Sequence, residues 1–231
     1  MGKLIKAEFL KLSGLLSYKI LLLFITGLGI MMGLFLATLP ATDLPVGFNV
    51  QDGYNIYISM LADPEVFMSF SLVFVIIFVC TEFSNRTFGM SLLNGCPRHN
   101  LLFAKIIVYL ISLVPAVILA PLMAGIIGSI GLGFGDVDPQ LMIKMTLLAI
   151  LGNTAMGCLC LAIAVSLKNI AATIGVGLAF MILIEALKTF PSPRGSLLQP
   201  EYIETFILVN IVVLVATLIA SIVIFQKSDL K

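Results

Sequence analysis

Six stretches of this chain are long and apolar enough to demand lipid as their solvent, and that feature limits the fold more than any other. They fall at residues 20–39, 66–81, 101–125, 142–167, 170–187 and 205–225. A helix needs about 20 mostly apolar residues to cross the hydrocarbon core of a bilayer. Only helices or closed barrels satisfy their backbone polar groups there. Composition agrees: 60% of residues are hydrophobic and 11% charged, with a mean hydropathy of +1.16. A soluble domain carries about a quarter of its residues as charges. The expected fold is an all-α integral membrane protein of six spans, one domain over residues 1–231. The second span is short, and the third is expected to run on into the glycine-rich stretch at 125–135.

Orientation follows from lysine and arginine, which concentrate on the cytoplasmic side. With six spans, one set of loops and ends contains Lys3, Lys6, Lys11, Lys19, Arg86, Arg98, Lys105, Lys168, Lys227 and Lys231. The opposite set contains Lys144, Lys188 and Arg194. Both termini are therefore expected on the cytoplasmic side of a cell membrane. Residues 1–18 precede the first span. There Ile5, Phe9, Leu12 and Leu16 recur at helical spacing, with Lys3, Lys6 and Lys11 largely off that stripe. This reads as an amphipathic helix in the inner interface, with Lys3, Lys6, Lys11 and Lys105 as membrane-interface cations beside anionic headgroups. A signal peptide fits less well, because the following apolar run is long and no cleavage pattern stands before Asp43.

Little in the chain points to chemistry of its own. The only histidine is His99, beside Arg98 in a polar loop, and no nucleophile elbow accompanies it. An intramembrane protease would need a catalytic pair at membrane depth. No phosphate loop and no pair of metal ligands at helical spacing occurs, so neither cofactor nor metal is expected on this chain. Basic residues are scattered, which argues against nucleic acid. Cys80, Cys96, Cys158 and Cys160 read as small packing residues. Glu185 and Lys188 are spaced to pair on one helical face. Gly29 and Gly33 form a G-x-x-x-G that could seat one span against another.

The most informative segment joins the second and third spans, residues 82–105. Phe83, Thr87, Met90 and Ser91 share one helical side. Gly95 and Pro97 then stop the helix, and Arg98 and Lys105 flank the return into lipid. By pattern alone this is either an ordinary connector or an element that docks in a groove of a soluble partner.

Glu82, Phe83, Thr87, Gly95, Arg98 and Lys105 resemble, in order and without gaps, the loop of permease subunits of type-2 ABC exporters. That six-span class includes antimicrobial-peptide export and immunity transporters. Arg86 stands where the family usually has glycine, and Pro97 where it usually has serine. Lys6-Ala7-Glu8-Phe9-Leu10-Lys11 resembles the family's N-terminal elbow helix, and the ending from Phe225 through Asp229 its usual finish. The resemblance implies that residues 82–100 form a cytoplasmic coupling element, with Glu82, Phe83, Arg86, Thr87, Gly95 and Arg98 facing a separate ABC-type ATPase that holds ATP and magnesium. It implies a second permease chain, identical or related, and an outer re-entrant segment at residues 189–203 before the last span. The function it implies is outward movement of a hydrophobic or amphipathic substrate, such as a peptide. The alternatives are an intramembrane, protease-like enzyme and a non-transporting membrane scaffold.

Overall fold

The computed structural model describes residues 2–38, 52–62, 65–84, 97–189 and 200–227. Among the described residues all regular structure is helical. Helix α1 is Gly2–Gly14, α2 is Leu16–Thr38, and α3 is Gly53–Ala62. Helix α4, Glu65–Val75, passes into a π-helical turn, Ile76–Cys80, and then into α5, Thr81–Ser84. Helix α6 is Arg98–Leu132, α7 is Pro139–Leu167, α8 is Ile170–Thr189, and α9 is Pro200–Lys227.

Five segments are long and apolar enough to cross a membrane: Leu16–Thr38, Phe67–Ser84, Asn100–Leu132, Pro139–Leu167 and Ile203–Phe225. This is the makeup of a multi-pass membrane protein. The fifth expected span corresponds to α8, whose apolar stretch Ile170–Leu183 is shorter. The short second span gains length from the π-turn and α5. The third continues to Leu132, so Gly125, Gly128 and Gly131 are helical. Its end comes at Gly133, whose φ of +83° is open to glycine and costly for other residues.

The core lies between α4, α6 and α7, with α2 along α6 and α9 along α7. Small residues set the closest approaches. A Cβ on Gly29 would collide with the Ala120 carbonyl oxygen, and one on Gly33 would lie 2.6 Å from that of Ala124. The G-x-x-x-G of α2 therefore packs backbone to backbone on an alanine pair of α6, the small-residue contact that membrane helices use where no hydrophobic drive acts. Helix α3, which the hydropathy pattern did not distinguish, lies on the far part of α6. There Gly53 faces Gly125 and Ser129, and Ile56 fills the notch at Gly128. Asp52 caps α3 by accepting from the Asn55 amide at 2.8 Å. Tyr54 donates to the Asp138 carbonyl at 3.3 Å, and Asp138 caps α7 through the Gln140 and Leu141 amides.

An aromatic column runs through the core. Phe70, Phe74 and Phe78 are spaced four apart on one face of the second span and stack in sequence, with centroids 6.0 and 5.5 Å apart. Tyr109 of α6 lies against Phe74 at 5.3 Å, nearly parallel, and Tyr18 of α2 meets it at 5.1 Å. Both phenols are satisfied, Tyr109 by the Ser71 carbonyl and Tyr18 by that of Ser112. Buried aromatic pairs of this kind add about 0.5–1.5 kcal/mol each beyond area burial. Cys80, Cys158 and Cys160 are free thiols within the packed helices.

Candidate functional site: a buried ion cluster at the α1 end

The aromatic column ends on a cation. Lys105 Nζ lies 4.3 Å from the centroid of the Phe78 ring. The same ammonium is 3.0 Å from Glu8 Oε2 and 2.7 Å from Glu82 Oε2. Lys11 binds the other oxygen of Glu82. Two carboxylates and two ammoniums thus join α1, α5 and α6. The Lys105 side chain is 1% exposed, whereas that of Lys11 is 46% exposed. Removing a charge of this size from water costs several kcal/mol, and the cost is recovered only when its partners are close and well aimed. Lys105 meets that condition with two carboxylates and a ring face, a cation–π arrangement that gains from desolvation.

Local sequence explains how each group arrives. On α1, Leu4, Ile5 and Leu12 pack on the core, with Glu8 between them, and Leu15 just after the helix packs there too. The expected stripe of Ile5, Phe9, Leu12 and Leu16 is therefore rotated: Phe9 and Leu16 are exposed, and Glu8 is buried. The correction has a plain cause. In a lipid-facing helix apolar residues are also stable outside, so the buried side is set by the polar group that must find a partner. Glu8 and Lys11, three apart, reach the same cluster from one side of α1. Lys3 and Lys6 are exposed. Lys105, expected at the membrane interface, is enclosed by protein one turn inside Leu101 and Leu102.

The neighbour of Glu82 ties in another element. Phe83 meets Phe225 of α9 with centroids 6.4 Å apart, and Phe225 is fully buried. The four-residue α5 is thereby held by α1, α6 and α9 together. Cys80, just before it, donates to Thr173 of α8 at 3.5 Å.

Of the sequence-derived site residues, Glu82, Phe83, Lys11 and Lys105 converge here. Arg98 opens α6. Arg86, Thr87 and Gly95 lie outside the described residues, as do most of residues 189–203. Glu8, Phe78 and Phe225 were not singled out as site residues. Glu8 had one usable signal, a lone acid inside a helical face that is otherwise apolar. Among the described residues no group of three or more His, Cys, Asp or Glu side chains could hold a metal ion. No protein-family model matches the chain, and no curated protein matches it.

Proposed function

We propose that this chain is the membrane-spanning subunit of an ATP-driven exporter of the type-2 ABC class. Six spans would carry an outward path, with both ends in the cytoplasm, and a separate ATPase would supply the energy. The ion cluster is the observation that supports this best. Glu82 and Lys105, the first and last positions of the family-like loop, meet each other, and Lys105 also meets Glu8 of the family-like elbow helix. A push on the intervening segment would reach three helices at once through Glu82, and the last span through Phe83. A mere connector gains nothing from a buried lysine held by two acids, which stabilises a fold little more than apolar packing would.

In this reading residues 82–100 form the coupling element, and its Arg86, Thr87, Gly95 and Arg98 meet the ATPase. A second permease chain completes the path, and the substrate is hydrophobic or amphipathic, as a membrane-active peptide is. The test is purification of the tagged full chain from its native membrane, with mass spectrometry of what accompanies it. An ABC-type ATPase should be retained, and Thr87→Asp or Arg98→Glu should release it while the chain's own yield stays the same. Recovery of no such ATPase, or equal recovery with both variants, overturns the reading.

A further inference from the structure

The second span changes hydrogen-bond register immediately before Glu82. The Thr81 amide donates to the carbonyl of Ile76, five residues back, where an α-helix would take Ile77, four back. The helix does not break there, since Val75 and Thr81 keep helical dihedrals, φ −64°, ψ −34° and φ −62°, ψ −32°. The Ile77 carbonyl, which the Thr81 amide would take in an α-helix, accepts from the Thr81 hydroxyl instead. Other hydroxyls in the chain bond four residues back, as Thr146 does to Met142 and Thr217 to Val213. At Thr81 the hydroxyl stands in for a backbone donor that has moved to the next carbonyl.

We propose that Thr81 is a positioning residue: its hydroxyl holds the π register, and that register aims Glu82 at Lys105 and Cys80 at Thr173. An apolar side chain at 81 leaves the Ile77 carbonyl to reclaim the amide. The turn then reverts to α geometry, and its last residue and everything after it rotate by about 100°, one residue's share of an α-helical turn. That rotation carries Glu82 off Lys105 and Cys80 off Thr173. Single π-turns inside α-helices are frequent at functional sites. The transport reading enters only in the consequence: a register change here would disconnect the loop from the elbow helix.

The test does not depend on transport. In the full chain, Cys96, Cys158 and Cys160 are replaced by alanine, and Thr173→Cys is introduced. Cys80 and the introduced thiol are then the only two left, and copper-phenanthroline oxidation in membranes joins them. The linked peptide is quantified by mass spectrometry. Thr81→Val should lower the linked fraction about tenfold, and Thr81→Ser should keep it within about twofold of the parent. Deletion of Ile77 removes the extra residue of the π-turn and leaves the following residues in place, so the deletion combined with Thr81→Val should restore linking. Equal linking in Thr81→Val and its parent overturns the proposal, as does failure of the deletion to restore it. Should Thr81→Val not accumulate in the membrane, accumulation and linking of the combined variant support the proposal, and their loss overturns it.

Discussion

Lys105 Nζ and Glu8 Oε2 stand 3.0 Å apart across 97 residues of sequence, in a position almost closed to solvent. The pair fixes the N-terminal helix to the start of the longest helix, and its energetics are asymmetric. Lys105→Met leaves Glu8 and Glu82 without their buried partner, and the expected cost is about 3–5 kcal/mol. The combined variant Lys105→Met, Glu8→Gln should recover part of that loss. Thermal unfolding of the detergent-solubilised chain checks both. Lys11→Ala, acting on a side chain nearly half exposed, should cost under about 1 kcal/mol.

The seam between α2 and α6 predicts a sharp contrast among glycines of one helix. Gly29→Ala or Gly33→Ala drives a methyl group into the α6 backbone, and overpacking of this kind costs about 1–3 kcal/mol or more. Gly27→Ala meets nothing within 4 Å and should be neutral or slightly stabilising through helix propensity. Unfolding temperatures of the three variants, measured side by side, read the difference.

Asn153 of α7 donates to the Ala149 carbonyl at 2.8 Å, while its buried Oδ1 has no partner among the described residues. Asn153→Leu keeps the branched shape and the number of heavy atoms and removes that unsatisfied acceptor. A gain of about 1 kcal/mol is expected. A fall in unfolding temperature would show that the amide oxygen is occupied in the membrane.

Phe83→Ala removes the aromatic contact that closes α9 on α5. The expected loss is about 1–3 kcal/mol, combining the ring pair with apolar area. Amide exchange should rise in the last two turns of α9 and stay unchanged in α2.

How much of this could be read in advance differs by element. Span positions came out of hydropathy within a few residues for α2, α6, α7 and α9, because lipid imposes length and apolarity together. Helix α3 was missed because its ten residues lie in a stretch broken by Asp52, Asp63 and Pro64, and its place is set by contacts to Gly53, Gly125 and Gly128. The π-turn was invisible for a similar reason: register depends on where one amide bonds, and Ile-Ile-Phe-Val-Cys is ordinary helix-core sequence. At the site, Glu82, Phe83 and Lys105 were found as pattern positions, while their meeting with Glu8 and Phe225 is a three-dimensional fact. The stripe on α1 misled because it assumed that apolar side chains face inward, and in lipid the paired acid does.

The Glu82–Lys105 contact also closes a ring of chain. Whatever lies between those two residues leaves and returns at one point, so its closure entropy is settled by the clasp and does not fall on the helices. Each doubling of such a loop adds only about 0.6 kcal/mol. The segment can therefore lengthen, shorten or change composition while the helical frame keeps its geometry. Residues in one short stretch at one end can thus be altered with every spanning helix left as it was.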